Sequence, residues 1–535
     1  MKRSAAFIIA LVMLVGTALF VVSCGNDVTP STPADTKATT APSSTTGEDT
    51  PATQGGTTPT GPVSTSEATP SGTTPTTPTE TTTGGSTPAG NDGYSKPDGY
   101  LDIDFGGRTF TFITTSDWTD GMGGFNTERE IAVESRTGGT PVDTAVYDRN
   151  QVMKRLYNCE IKAVEGALGL IINDVNSGTN EYDFGGAQYL WFNGNKDGYY
   201  INLYDLDLDM SIEGWNKALF DQCTVRDRNG VDKLYTLDAS FNLSTYKTAW
   251  IVFCNLDLYN QNFSESIFDI VQNREWTVDK QMEMISAVAQ DNGDQVWTMG
   301  DDIFGLATTG HNSIGLIMSM GIRTVSIDEN HNFTTSVEQL LSNNAVEAIT
   351  KAAEMYALDG VFIGSYTKDH EEFNAGRVLF MGEVLNTIQI MMDIDVNYTI
   401  IPEPLYSSET QHDYKFYINN KGTTYVVSKN ACGGDKQMIS DFFNVFVYHS
   451  HKIVYPAFIQ SYSQIYCSDE RSAEMFEIVT KGIEYDLSYY RGNVMGLMQD
   501  MIHTGKNQLN RAANQYQKTM QTQINTLLDV MTASQ

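Results

Sequence analysis

Three clusters in this 535-residue chain have residue types and spacings that could form a reactive or ion-binding centre. Asp205, Asp207 and Asp209 alternate like the first ligands of a calcium loop. Met210, however, stands where the tight turn needs glycine, and Asn216 where a bidentate glutamate would close the shell. The stretch reads as a solvated acidic segment. His449 and His451 lie two apart at a helix end with no carboxylate in metal register, and they read as exposed polar caps. Gly121-Met122-Gly123-Gly124 is a flexible loop lacking the Lys-Ser/Thr of a phosphate-binding loop. No G-x-S-x-G supports a nucleophile elbow, and no C-x-x-C or Cys/His cluster has zinc spacing. With 66 acidic residues, chance carboxylate pairs are everywhere, so a glycosidase pair cannot be found by counting. The chain is read as a non-enzyme with no cofactor and no metal.

The elements that hold whatever chemistry remains must be sought in an uneven chain. Its formal charge is −32, which repels nucleic-acid phosphate and excludes a DNA- or RNA-binding role. Lys2 and Arg3 precede an apolar run from Ala5 to Val22, and Val21-Val22-Ser23-Cys24 gives way to Gly25-Asn26-Asp27. Small residues before a cysteine and an abrupt polar shift read as export with cleavage. The segment resembles a bacterial lipoprotein signal at residues 1–23, with Val21 in place of the preferred leucine; this implies that Cys24 becomes the mature, lipid-bearing N-terminus. Residues 24–95 form a Thr/Pro/Ser/Gly-rich tether. Between Gly25 and Asp92 lie 10 of the 15 prolines and 23 threonines, with no Leu, Ile or aromatic residue. Such a composition cannot offset its ordering entropy and stays extended, reaching on the order of 100 Å if largely polyproline-like. Its density of Thr with Pro also permits O-glycosylation. A lipid base and a long spacer suit a protein displayed through a Gram-positive envelope, on the outer face of the cytoplasmic membrane. Beyond Cys24, the five cysteines Cys159, Cys223, Cys254, Cys432 and Cys467 are too few and odd in number for a disulfide framework, and read as small buried hydrophobes with room for one bridge.

From residue 96 onward the pattern alternates. Arg108–Thr114 (R-T-F-T-F-I-T) has the period of a strand, Asp143–Tyr157 the spacing of a helix behind Pro141, and Cys159–Val164 is again a strand. A short helix over 168–175 and a strand over 182–187 follow, so crossover helices join parallel strands in an α/β layer. Helices are expected over 277–290, 337–358, 435–449 and 473–482. A last one over about 506–531 carries Leu509, Ala513, Tyr516, Met520, Ile524 and Leu527-Leu528 on one stripe.

R-T-F-T-F-I-T followed by T-P-V-D-T-A-V-Y-D-R-N-Q-V-M-K-R-L-Y-N-C-E-I resembles the first strand, helix and second strand of carbohydrate-type (family 1-like) extracellular solute-binding proteins of ABC importers, as found on Firmicutes. K-T-A-W-I-V-F-C-N-L-D-L-Y-N-Q-N (Lys247–Asn262) resembles that family's crossing into the second lobe, and E-W-T-V-D-K-Q-M-E-M (Glu275–Met284) its Trp-led helix start. F-N-A-G-R-V-L-F-M-G-E-V (Phe373–Val384) is similar to its return strand, and G-T-T-Y-V-V-S-K-N-A (Gly422–Ala431) to its late Gly-rich strand. The order holds over about 430 residues, with two departures: no Pro precedes Trp276, and Leu379-Phe380-Met381 replaces small residues.

The resemblance implies a two-lobed α/β clamp of the type II periplasmic-binding-protein kind over 96–535, joined by crossing hinge strands. Lobe one is expected over about 96–208 plus about 373–410, lobe two over about 215–370 plus about 411–490, and the C-terminal helix over about 506–531. Ligands of α/β sheets sit beyond strand carboxyl ends. That rule selects Asp117 and Trp118, Gln188 and Trp191, Tyr246 and Trp250, Gly382 and Glu383, and Asn420 and Gly422 as ligand-binding candidates. Aromatic rings stack on the C–H face of a pyranose, and carboxylates and amides pair with its hydroxyls. The expected ligand is a neutral sugar or oligosaccharide, since no cationic cluster marks the cleft. The expected partners are ABC permease subunits, with the membrane reached through the lipid alone and the protein a monomer. Trp215 and Trp276 are expected in the core. A surface glycan-binding adhesin or a glycoside hydrolase is the alternative.

Replacing the lipid-bearing thiol gives the first test. Cys24→Ala should abolish metabolic lipid labelling and release the protein into the medium; unchanged membrane retention would refute the anchor.

Overall fold

The computed structural model describes residues 93–115, 127–188, 198–323, 325–335, 341–364, 366–391, 394–419, 422–466, 470–487, 494–506 and 508–533. The export signal and nearly all of the tether lie outside them. Contacts divide the chain into 1–83 and 84–535, and the described residues belong to the second unit. Among them, no helix is long and apolar enough to cross a membrane.

Nine strands build two sheets in this unit: β1 (Arg108–Thr114), β2 (Cys159–Glu165), β3 (Phe184–Gln188), β4 (Trp250–Asn255), β5 (Phe304–Thr309), β6 (Val361–Gly364), β7 (Val378–Val384), β8 (Tyr398–Ile401) and β9 (Thr423–Val427). The first sheet has the order β9-β3-β1-β2, with β1 parallel to β2 and β3, and β9 antiparallel to β3. The second has the order β6-β5-β7-β4-β8, with β6, β5 and β7 parallel and β4 antiparallel to both its neighbours. The parallel α/β layers expected from strand–helix alternation are both present.

Local chemistry explains the helices that cover these sheets. Helix α1 (Pro141–Tyr157) starts with proline at its first turn and a reciprocal capping box between Thr140 and Asp143. It ends on Asn158 in a left-handed conformation that satisfies the Lys154 carbonyl. Helix α2 (Val278–Val288) is capped by Thr277, α3 (Asn343–Tyr356) by Ser342, and α4 (Lys436–His449) by Asp435. Helix α4 lays Phe442 on Phe110 of β1, ring centroids 3.8 Å apart, and on Phe184 of β3 at 5.4 Å. Helices α5 (Tyr455–Tyr466) and α6 (Glu470–Lys481) follow. Helix α7 (Leu509–Ala533) buries Leu509, Ala513, Met520, Ile524 and Leu527 of the expected stripe.

The lobe boundaries need correction. Residues 373–410 were expected in lobe one, yet β7 pairs with β5 and β4, and β8 with β4, all in the second sheet. Residues 411–490 were expected in lobe two, yet β9 pairs with β3, and α4 packs on β1 and β3. A hydrophobic strand carries no label for its partner, so the return to the first sheet occurs after residue 418 rather than at 373. Two smaller readings also change. The 205–209 stretch is not simply solvated: the Asp207 amide donates to Ser440 Oγ (2.9 Å) and the Asp209 amide to Asn444 Oδ1 (2.9 Å) on α4. His449 is no exposed cap; it is buried and bonded to Tyr157 Oη at 2.9 Å. Cys159, Cys223, Cys254 and Cys432 are buried and unbridged.

Trp276 is fully buried, its ring 5.2 Å from Phe380 and its indole N–H donating to the Pro402 carbonyl (2.8 Å). Trp276→Ala should therefore cost about 3–5 kcal/mol of stability, visible as a lower denaturation midpoint with an unchanged slope. A loss below about 1 kcal/mol would contradict this packing.

Candidate functional site

The carboxyl ends of the parallel strands in both sheets meet where the chain crosses between them. In the first sheet β1 ends at Thr114, and Gln188 at the end of β3 pairs with Thr423 at the start of β9. In the second, Val384 at the end of β7 pairs with Trp250 at the start of β4. Ala249 and Ile418 form an antiparallel bridge beside these ends, the Asn419 amide donates to the Thr248 carbonyl (2.9 Å), and the Leu385 amide to the Ala249 carbonyl (2.9 Å). The segment 242–249 thus runs beside residues 418–419 and 422–423. A third crossing follows α4: the chain widens into a π-type turn at Ser450–Val454, and α5 leads it to α6, which packs on β8 of the second sheet. Such turns often accompany functional sites because they re-aim a helix.

Buried polar groups hold the crossings together. Asn242 Nδ2 donates to Asp238 Oδ1 (2.6 Å) and to the Thr423 carbonyl (2.5 Å), and the Thr423 amide donates to Ser244 Oγ (3.1 Å). Asp238 also accepts from Thr245 Oγ1 (2.7 Å), Asn216 Nδ2 (3.3 Å) and the Tyr485 hydroxyl. Burial pushes its carboxyl up to about 6, against the pull of these donors. Glu130 accepts from the amides of Leu243 (2.9 Å) and Ser244 (3.1 Å) and from Lys247 Nζ (2.7 Å). At the third crossing the buried Arg149 donates to Ser450 Oγ (3.3 Å) and to the Glu130 and Ile131 carbonyls (3.3 and 2.5 Å). Its guanidinium lies 4.4 Å from the Phe446 ring centroid, and burial lowers its pKa to about 9.

The candidate residues fare unequally. Asp117, Trp118, Trp191 and Asn420 lie outside the described residues, as does the side chain of Gln188, whose backbone pairs with Thr423. Tyr246, Trp250, Gly382, Glu383 and Gly422 are all gathered at or next to the crossings. Most of them serve packing there. Trp250 is only 1% exposed, and a Cβ at Gly315 would come within 2.8 Å of its ring. That places Trp250 in the core rather than on a ligand, because β4 is a central strand covered by the helix Ser313–Ser319. Tyr246 sets its ring 5.5 Å from Tyr455 and 5.7 Å from Phe458 on α5. Gly382 and Gly422 allow close approach: added Cβ atoms would meet Thr308 Oγ1 at 2.9 Å and Ile418 Cγ2 at 2.5 Å.

Glu383 points into an acidic cluster that the sequence reading missed. It is fully buried, with Oε1 3.6 Å from His370 Nε2. Asp369, also fully buried, has neither carboxylate oxygen hydrogen-bonded among the described residues. Burial and the neighbouring Glu383 push its carboxyl up to about 8. Glu403, two residues beyond β8, is likewise pushed up to about 8 by burial. Nearby, Gln389 Nε2 donates to Tyr462 Oη (3.0 Å), which donates to Asn386 Oδ1 (3.3 Å). Asp369-His370 carried no sequence signal, since their helix (Tyr366–Asn374) reads as a polar surface segment.

No family model and no curated protein matches the chain. Among solved structures it is similar to an ABC substrate-binding protein from Listeria monocytogenes in complex with cycloalternan. That pair shares 13% identity at a TM-score of 0.45, over 78% of this chain and 99% of that one. It is also similar to the GacH receptor of Streptomyces glaucescens, at 14% identity and a TM-score of 0.47, over 77% and 98% of the two chains. The maltose-binding periplasmic protein of Listeria monocytogenes in complex with maltose matches at 13% identity and a TM-score of 0.46, over 78% and 98%.

The raised Asp369 pKa makes stability depend on pH. A carboxyl that holds its proton to about 8 when folded, but only to about 3.9 when unfolded, loses stability as pH climbs between those values. Asp369→Asn should therefore gain melting temperature over the parent progressively from pH 4.5 to pH 8. An equal difference at every pH would contradict the burial of this carboxyl.

Proposed function

We propose that the chain is the extracytoplasmic binding component of an ABC importer, closing two lobes on a neutral sugar or oligosaccharide and handing it to a membrane permease. The observation that carries this reading is the convergence of strand carboxyl ends from both sheets on a crossing made of three segments. Strand carboxyl ends are where α/β layers bind ligands, and a few crossing segments are what a hinge needs in order to close one layer on the other. On this reading Asp117, Trp118, Gln188 and Trp191 are the ligand contacts of the first lobe, because in sequence they end or follow β1 and β3. Lipidation at Cys24 and the tether up to residue 95 would keep the receptor at the outer membrane face while letting it range through the envelope.

Calorimetry and small-angle scattering of the full chain against a panel of neutral sugars test this together. One sugar should bind and shrink the radius of gyration. Trp118→Ala should weaken that sugar about ten- to a hundredfold, because one stacked ring is worth about 1–3 kcal/mol. Recovery of cleaved oligosaccharide would instead mark a hydrolase, and binding to insoluble glycan without compaction would mark an adhesin. Full affinity in Trp118→Ala would remove that residue from the site.

A further inference from the structure

Away from the crossings, the two lobes touch a second time. The strands Val225–Arg226 and Asp232–Lys233 form a hairpin that belongs with the first sheet, although sequence order put it in the second lobe. Asn202 Nδ2 donates to its Asp232 carbonyl (3.0 Å), and Asn202 Oδ1 accepts from the Leu234 amide that follows (2.9 Å). The neighbouring Ile201 amide donates to the Val427 carbonyl of β9 (2.9 Å).

Two elements of the second lobe reach this hairpin. One is an excursion between the helix Ser313–Ser319, which covers β4, and α3; it pairs Val325–Ile327 with Phe333–Thr335. Asp328 folds its turn: Oδ1 accepts from the amides of Asn330 (2.8 Å) and Asn332 (2.9 Å), and the carbonyl from the His331 amide (2.9 Å). His331 takes φ +62°, a backbone conformation uncommon outside glycine. So held, its carbonyl accepts from the Arg226 amide (2.7 Å), and its Nδ1 lies 3.0 Å from Asp232 Oδ2. Arg226 Nε and Nη2 grip the same carboxylate at 2.8 and 3.0 Å. The other element is α7. It packs on the helix Val494–Thr504, which lies on α3, and on Phe333–Thr335 of the excursion. Its far end receives the hairpin's loop: the Arg228 amide donates to Thr532 Oγ1 (3.1 Å), Nε to Asp529 Oδ1 (2.7 Å) and Nη2 to the Asn525 carbonyl (3.3 Å). Exposed ion pairs of this kind are weak singly. Between lobes already joined by the chain they act together at high effective concentration, because the partners never diffuse apart.

We infer that the hairpin 225–233, the excursion 325–335 and the end of α7 form a clasp outside the hinge, which holds the lobes in their present arrangement and has to release before they can turn on the crossings. The clasp rests on the two-sheet fold alone; only its bearing on ligand affinity rests on the closure reading. Double electron–electron resonance of the full chain without ligand tests it. Spin labels on unnatural amino acids would replace the exposed Gln151 of α1 and Asn374 of the helix Tyr366–Asn374, one on each lobe. The parent should give one narrow distance. Arg226→Ala combined with Arg228→Ala should add a second distance or roughly double the width, as the lobes populate further arrangements. His331→Gly keeps the left-handed turn and removes the ring, so it should act in the same direction by less. Salt at about 1 M should broaden the parent towards the double variant by screening the ion pairs. Lys351→Ala, which removes an exposed pair with Asp279 inside the second lobe, should leave the parent distribution intact. All variants should keep the parent's cooperative melt. A distribution unchanged in both clasp variants, or a parent already as broad as they are, overturns the inference. Whether a sugar then moves the parent distance tests the closure reading separately.

Discussion

The crossings that join the two sheets depend on satisfying buried polar groups. A carboxylate or amide taken out of water costs several kcal/mol unless it finds partners, and Asp238 and Asn242 find theirs on four separate stretches of chain: 216, 238–245, 423 and 485. The network therefore does two things. It makes the position of the crossing unique, since a slipped register would orphan several donors at once. It also ties the connecting segment 242–245 to the first residue of β9, the edge strand of the first sheet.

Glu130 and Arg149 extend the same logic to the third crossing. The Glu130 side chain takes the two amides that open the helix Ser244–Lys247, while its carbonyl accepts from Arg149, which also reaches Ser450. One residue of the short helix Thr127–Ile131 thus touches the first crossing directly and the third through a single arginine. That helix begins where the segment bearing Asp117 and Trp118 ends. Asp117 and Trp118, expected to meet a ligand, precede Glu130 by 13 and 12 positions in sequence.

Much of the secondary structure was legible because its signals are local. The alternation in Arg108–Thr114 and the proline and capping residues before Val142 act within a few positions, and the strand and helix formed where those signals lay. Partner choice was not legible. Val378–Val384 and Thr423–Val427 are both short apolar strands, and only tertiary packing decides which sheet each joins. The site followed the same division. Glu383 was singled out because it lies next to the end of a strand, and the burial of Trp250 was not legible because its place on a central strand depends on the helix that covers it. Asp369 and Glu130 gave no signal, as a buried acid on a short polar helix looks like a surface one until its neighbours are known.

The placement of β9 and α4 in the first sheet also governs when that sheet can form. Phe110 stacks on Phe442, more than three hundred positions further along the chain. Until that phenylalanine has emerged, β1 and β3 lack both the strand at their edge and the helix that sets Phe442 against Phe110, Phe112 and Phe184. Contacts of such long range are slow to form, because loop closure must come before any packing gain. A nascent chain with this topology can complete its second sheet by Ile401, but its first, begun earlier, stays unfinished until Phe442 has been made.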